Sequence, residues 1–590
     1  MSDYAAPLDE MRFALDEIAK LPEIAKLPGC DGVAPDLVDA VLGEAAKLAV
    51  NVVAPLNRVG DIEQSRLENG VVHTPAGFKE AYRAYTEGGW TGLAASPDHG
   101  GQGLPVVLNA AVNEMWMSAN LAWSLCPMLS IGACELLELL GTPEQKRVYL
   151  GRLVSGEWTG TMNLTEPQAG SDLSALRTRA VREGDHYRIT GQKIFITYGE
   201  HDMAENIVHF VLARLPNAPA GSQGISLFLA PKFLVNDDGS LGARNDLRCV
   251  SLEHKLGIHA SPTCVMSYGD NGGAVGTLVG AENRGLEGMF IMMNVARLHV
   301  GLQGVAIGER AYQRARAYAR ERVQGKPVAA RDGARLPILH HPDVRRMLLS
   351  MRAASEAARA LAYYTAGEAD RARRHPDKSR RAKAQARLDL MTPVVKAWCT
   401  DLGVEVAGTG IQVHGGMGFI EETGAAQHWR DARIAPIYEG TNGIQANDLV
   451  GRKLLRDQGA AAADFVADMR RSLAARDGQD ADGHLARGID AVERATAALL
   501  ETAGADLGAA LAGSEPYLRL LGTVAGGWLM AESAAAAMRR LKAGAGERRF
   551  LEAKIATARF YAEHRLAQAP ALLPAVTGGQ TVMGFDLDLI

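Results

Sequence analysis

Only one part of this 590-residue chain reads as β structure, and it lies in the middle. Between about residues 160 and 280, the runs HYRITGQKIFIT, HFVLARL and GISLFLAP are short, β-branched and aromatic. Gly, Asn and Pro separate them, so they read as strands bounded by turns. The rest carries helical spacing. Ahead of the β region stand LVDAVLGEAAKLAVNVVAPL and AVNEMWMSANLAWSL, with the loop SPDHGGQGLP (Ser96 to Pro105) between them. Behind it come three long patterns: GLEGMFIMMNVARLHVGLQGVAIGERAYQRARAYARERV, RMLLSMRAASEAARALAYYTAGEADRA and MTPVVKAWCTDLGVEVAGTGIQVHGG. Beyond Asp457 the chain turns alanine-rich and stays helical. A lone β insert between helices implies N-terminal helices (1–158), a small β domain (159–284), a helix bundle (285–456) and an added helical segment (457–590). About four such units suit the length.

Composition removes several function classes. The net charge is −5, without the clustered basic surface of a nucleic-acid binder. The six cysteines form no C-x-x-C pair, so neither a zinc ribbon nor a dithiol motif is expected, and no metal site. The start, MSDYAAPLDEMRF, lacks a secretion signal, and no window approaches the ~18 uncharged apolar residues of a membrane span. These features suggest a protein of a reducing compartment such as the cytoplasm. P-loop, G-x-G-x-x-G, H-E-x-x-H and G-x-S-x-G patterns are all missing from the chain. His340 and His341 precede a proline and read as a surface turn.

Three segments stand out. In MNLTEPQAGSDLS (Met162 to Ser174), Gly170, Ser171 and Asp172 form a turn offering N–H groups and a hydroxyl to a polar ligand edge. Read alone, it is a plain turn with Asp172 capping the next element. In GQKIFITYG, Phe195 and Thr197 stand i, i+2 on a strand, so they share a face that could flank a flat heterocycle. Read alone, Phe195 is a core ring. The third is VAGTGIQVHGGMGFIEE (Val406 to Glu422), followed by IAPIYEGTNGIQ (Ile434 to Gln445). Two glycine-rich turns and one carboxylate, Glu439, interrupt a helical region, a pattern that brings backbone close to a ligand.

LTEPQAGSD, KIFIT, QVHGGMGF and IYEGTNGIQ, in this order, resemble the acyl-CoA dehydrogenase family over about residues 30–455. The long chain with its C-terminal segment is similar to the larger bacterial members, which include long-chain fatty acyl-CoA and 3-methylmercaptopropionyl-CoA dehydrogenases. The resemblance implies a mainly α fold with a central β-barrel domain and a four-helix bundle, here with an extra C-terminal helical domain. It implies FAD between barrel and bundle, and α,β-dehydrogenation of an acyl-CoA to the trans-2-enoyl-CoA with hydride passing to flavin N5. Electron-transfer flavoprotein is the implied acceptor.

Residue by residue, the resemblance makes Glu439 the catalytic base. A thioester α-proton is a weak acid, and a desolvated carboxylate is a stronger base. Gly440 lets the chain approach the substrate, and the backbone N–H at Glu439 helps hold the thioester oxygen. One subgroup draws its base from the residue before an arginine; here Ala296 fills that place in NVARL, and Arg297 matches the arginine near the acyl-CoA. Met162, Leu164, Thr165, Gly170, Ser171, Phe195 and Thr197 match flavin contacts, Ser171 also reaching the CoA chain. Arg322, Gln412 and Gly416 match positions holding the FAD of a neighbouring subunit, implying a homodimer or higher oligomer. Thr441 matches a flavin contact. Phe195 replaces a common tryptophan, Gly443 a common glutamine, and ERVQGKP is one residue short of the usual form.

Two other functions stay in view: an acyl-CoA oxidase on the same fold reoxidised by oxygen, and a CoA-binding helical scaffold that has lost its flavin, against which the intact motifs argue. Chain length and branching of the acyl group rest on no residue. The basic stretch ADRARRHPDKSRRAKAQAR (Ala369 to Arg387) reads as a solvated helix end. GWLMAESAAAAMRRLKAG reads as internal packing or dimer contact, and Trp116, Met117 and Trp123 as core.

Overall fold

The structure, a computed structural model, describes residues 4–328, 335–476 and 483–589. The chain forms two compact units. One comprises residues 1–6, 40–104 and 115–299; the other comprises 7–39, 105–114 and 300–590.

The first unit holds an eight-stranded sheet, numbered here in chain order: β1 (Trp158–Asn163), β2 (Arg179–Glu183), β3 (His186–Thr197), β4 (Asn206–Arg214), β5 (Ile225–Pro231), β6 (Leu247–Leu252), β7 (Thr263–Tyr268) and β8 (Ala274–Leu278). Neighbours run β6-β7-β3-β8-β5-β4-β1, and β2 pairs with both β3 and β4. The circuit β3-β8-β5-β4-β2 therefore closes into a barrel, which removes exposed edges. Tyr187, Ile189, Val211 and Phe228 of its strands form one buried core with Cys264 and Met266 of β7. Outside it lies the helix Leu121–Leu140, and a Cβ added at Gly160 of β1 would sit 2.4 Å from that of Ala133. Trp116, Met117 and Trp123 are core as expected, and Tyr85 meets both tryptophans edge-on. The N-terminal region is not wholly helical. Arg66–Glu68 and Val71–His73 form a hairpin through Asn69 (φ 51°) and Gly70 (φ 80°). Two consecutive left-handed residues suit the twist of a two-residue turn, and Asn-Gly supplies them readily.

The second unit is helical. The long helix α1 (Gly285–Glu321) gives it its C-terminal part, and α2 (Pro342–Arg374) and α3 (Lys378–His414) pack along each other. A Cβ at Gly304 would come within 2.1 Å of the Cys399 carbonyl oxygen, and one at Gly403 within 2.7 Å of that of Gly304. Glycine is required where α1 crosses α3. Inside lies an ionic group with no exposed charge on Arg359 or Glu114. Arg359 bonds Glu114 (2.6 Å) and Glu309 (2.9 Å), and Tyr363 donates to Glu114 (2.7 Å).

The short helix α4 (Asn442–Asp448) follows, then the extension with its helices α5 (Ser514–Lys542) and α6 (Arg548–His564). Gly522 and Gly526 of α5 lie against the Trp398 indole, and Lys554 of α6 bonds Glu10 (2.7 Å) and Glu356 (2.8 Å). The added segment is thus packed internally. The basic stretch is a solvated helix end and loop from Pro376 to Arg380, as expected, but its flanks differ: Arg371 and Arg374 donate to the carbonyls of Ala19 and Gly29, and Arg387, 3% exposed, pairs with Asp464 and Asp468. These cations face acidic groups and carbonyls distant in sequence, so a local count of charges cannot place them.

Two helices among the described residues, Leu121–Leu140 and Gly285–Glu321, reach the length and hydropathy of a membrane span, although neither run is free of charge. Their most apolar windows are 72% and 78% buried within the protein, as in core helices.

Candidate active site

In the barrel unit, β1 and the segment after it are tied to β3 at several points. Ile194 N–H donates to the Thr165 carbonyl (2.9 Å), and the Thr161 hydroxyl to that of Thr197 (2.7 Å). Lys193, wholly buried, donates to the Leu164 carbonyl and to Glu166, both at 2.9 Å. Glu166 also accepts the N–H groups of Arg177 (2.7 Å) and Thr178 (3.0 Å). Burial pushes its carboxyl up, but the Lys193 ammonium and these hydrogen bonds outweigh it and hold the pKa at about 2.

Phe195 and Thr197 stay out of the barrel core while Ile196 turns inward. The pairing of β7 with β3 shifts between Cys264 and Met266, so Val265 alone faces Ile194 and Phe195. Phe195 occupies that bulge at φ 60°, in the left-handed region, with its ring 57% exposed. Phe195 is therefore no core ring. A bulge re-aims a side chain, and a large ring held in a costly conformation toward solvent suits a ligand. Met162 is buried, Leu164 and Thr165 are half-buried, and Gly170 and Ser171 are exposed. Asp172 caps the next turn by accepting from Ser174 N–H (2.9 Å), as its local reading suggested. Arg297 is buried, with its guanidinium 5.9 Å from the Phe290 ring centre.

In the helical unit, Glu439 stands half-buried on a turn between the helix Ala425–Ala432 and α4. Its φ is 56° and that of Gly440 is 82°. Glycine accepts this conformation freely; for glutamate it costs about 1–3 kcal/mol and persists only where the surroundings enforce it. Asn442 N–H closes the turn on the Pro436 carbonyl (2.9 Å). The Thr441 hydroxyl caps α4 by accepting from Ile444 N–H (3.1 Å). Gln445 donates to the carbonyls of Glu439 (3.4 Å) and Gly440 (3.3 Å), and the Tyr438 hydroxyl donates to Gln303 of α1. Burial, then the neighbouring Glu439 charge, raises the Tyr438 phenol pKa. Of these supports, sequence reading singled out only Thr441. Asn442 and Gln445 lie inside the motif and were the available signal.

Gln412 and Gly416 are exposed at the end of α3 and in the following turn, and a Cβ at Gly415 or Gly416 would meet nothing within 4 Å. Phe419 beside them is 85% exposed. Arg322 is exposed at the end of α1, its carbonyl accepting from Ile338 N–H (2.7 Å).

Four family descriptions match in succession: acyl-CoA dehydrogenase N-terminal domain (40–157), middle domain (161–270) and C-terminal domain (283–454), then acetyl-CoA dehydrogenase C-terminal like (464–586). The chain is 50% identical over 578 residues to a 3-methylmercaptopropionyl-CoA dehydrogenase of Ruegeria pomeroyi, covering 96% of this chain and 97% of that one. This chain belongs to the acyl-CoA dehydrogenase family. It is an enzyme of that class, a flavoprotein oxidoreductase. A broad-specificity linear acyl-CoA dehydrogenase of Mycobacterium tuberculosis is 35% identical over 589 residues, 96% of each chain. The fold matches that of an acyl-CoA dehydrogenase of Bacillus anthracis solved with FAD, at TM-score 0.75 and 20% identity over 96% of this chain and 91% of that one. The family cofactor is FAD. Within the barrel unit the residues fit such a group: the Gly170 backbone is open to a polar ligand edge, and the exposed Phe195 ring suits a flat heterocycle.

Proposed function

We propose that this enzyme converts an acyl-CoA to the trans-2-enoyl-CoA with Glu439 as base, and that its substrate is 3-methylmercaptopropionyl-CoA. The observation that carries the base is the left-handed, half-buried Glu439, whose turn is fastened by hydrogen bonds from the residues on either side of it. Its carboxylate takes the α-proton, and the electrons of that C–H bond form the new double bond. The Glu439 N–H holds the thioester oxygen as negative charge gathers there. Bound FAD supplies at N5 the acceptor for the β-hydrogen, which leaves as hydride. The full-length identity to the Ruegeria enzyme supports the substrate.

In this reading Met162, Leu164, Thr165, Gly170, Ser171, Phe195, Thr197 and Thr441 contact the flavin. Ser171, Arg297 and Gly440 meet the acyl-CoA. Arg322, Gln412 and Gly416 hold a neighbouring subunit's FAD, so the enzyme works as a homodimer or larger, and electron-transfer flavoprotein reoxidises it. The domains divide at 158, 284 and 456. Six buried free cysteines suit a reducing compartment, the cytoplasm.

The test is anaerobic mixing of the yellow protein with acyl-CoAs from 3-methylmercaptopropionyl to palmitoyl. Fastest bleaching of the oxidised flavin by the thioether substrate supports the proposal. A faster linear acyl-CoA shifts the substrate to the fatty class, as the mycobacterial relative's name suggests. Rapid peroxide formation in air would make it an oxidase, and a colourless protein a scaffold.

A further inference from the structure

A lysine sits where an apolar residue would pack. Lys396 lies in mid-α3 with no exposed surface, among Val394, Val395, Ala397 and Trp398, all buried. Burying a cation is costly unless it is paired or hydrogen-bonded. Lys396 donates to the Asn442 side-chain oxygen at 2.9 Å. The two N–H groups of the Asn442 amide are shared among the Ala397 carbonyl (3.1 Å), the Thr400 hydroxyl oxygen (3.1 Å) and Asp401 (2.8 Å). The backbone N–H of the same asparagine closes the turn on Pro436. One residue thus joins α3 to the loop in which Glu439 and Gly440 are both left-handed.

Resting on the proposed role of Glu439, we infer that Lys396 and Asn442, with Asp401 behind them, are positioning residues that hold the base turn in its catalytic conformation. The plain alternative is that they only dock α4 on α3. Three features point beyond docking. The anchored residue follows the base by three positions. Its backbone and its side chain are both engaged. The conformation it closes is one that glutamate does not adopt without enforcement. A shift of about 1 Å in a reacting group is enough to cost on the order of 100-fold in rate.

Asn442→Ala, Lys396→Met and Asp401→Asn are compared as holoenzymes, with Glu439→Gln in parallel. FAD content, thermal midpoint, KM and anaerobic bleaching rate are measured, each with normal and α-deuterated 3-methylmercaptopropionyl-CoA where it applies. Asn442→Ala and Lys396→Met are expected to keep FAD and KM within about threefold and to bleach about 10–100-fold more slowly. The α-deuterium isotope effect is expected to rise, since proton removal has become slower. Asp401→Asn, which retains an acceptor oxygen, is expected to stay near wild type. Bleaching of Asn442→Ala within threefold of wild type overturns the inference. Parallel loss of FAD, thermal midpoint and KM also overturns it, making the cluster structural. If Asn442→Ala does not fold, Lys396→Met decides by the same criteria. If Glu439→Gln bleaches like wild type, the base assignment falls and this inference with it. If Glu439→Gln is inactive and the other variants are normal, only the positioning role falls.

Discussion

The segment Leu164–Thr178 of the barrel unit is fastened by a buried charge pair, Lys193 and Glu166, together with strand pairing. The turn Pro436–Asn442 of the helical unit is fastened by hydrogen bonds from Asn442, Gln445 and Tyr438, the Asn442 amide reaching Asp401 and the buried Lys396. The first fastening is buried in the barrel unit and joins a strand of the sheet to the segment beside it. The second holds a few residues of irregular chain against finished helices. Damage to the first should therefore appear as lost stability and lost FAD, and damage to the second as lost rate in a stable protein.

Lys193→Met tests the first half of that contrast most severely. It leaves Glu166 buried without its cation, which costs about 3–5 kcal/mol, and denaturant unfolding should show the loss with FAD released early. Acid should act on the same pair. Glu166 titrates near 2 in the folded chain against 4.5 unfolded, so its stabilisation is present above about pH 4.5 and is lost as pH falls toward 2. The difference amounts to about 3 kcal/mol, and Glu166→Gln should flatten this part of the stability–pH curve. Gly304→Ala presses a methyl group against the Cys399 carbonyl and should cost about 1–3 kcal/mol in the bundle. It should lower the unfolding midpoint without a matching fall in rate. Thr441→Ala removes the cap of α4, about 1 kcal/mol, together with a proposed flavin contact. Its effect should be plain in bleaching rate and small in unfolding. A Thr441→Ala protein as unstable as Lys193→Met would erase the distinction.

Much of this architecture could be read from spacing. The run HYRITGQKIFIT is β3 from His186 to Thr197, and the three long helical patterns are α1, α2 and α3. Those elements are long and strongly periodic, so local pattern and tertiary burial agree. The hairpin at Arg66–His73 escaped, although its Asn69-Gly70 turn is a strong local signal, because each strand is only three residues long. The bulge at Phe195 depends on the register of β7, some seventy residues on, and no local rule supplies it. Lys396 sits inside MTPVVKAWC and reads as one more helical residue; its partner Asn442 lies 46 positions away. Arg387 looked solvated because its acidic partners, Asp464 and Asp468, lie near the start of the extension. The motif residues could be picked out individually, whereas the contacts that hold them could not.

Glu439→Gln carries the heaviest weight. The measurement is stopped-flow anaerobic bleaching of wild type and Glu439→Gln by 3-methylmercaptopropionyl-CoA, each with full FAD. Glutamine keeps the shape and the turn but cannot accept the α-proton. Loss of a general base costs about 100- to 10,000-fold, and that fall, with flavin content and substrate affinity retained, is the result expected here. A variant that bleaches at the wild-type rate would contradict Glu439 as the base.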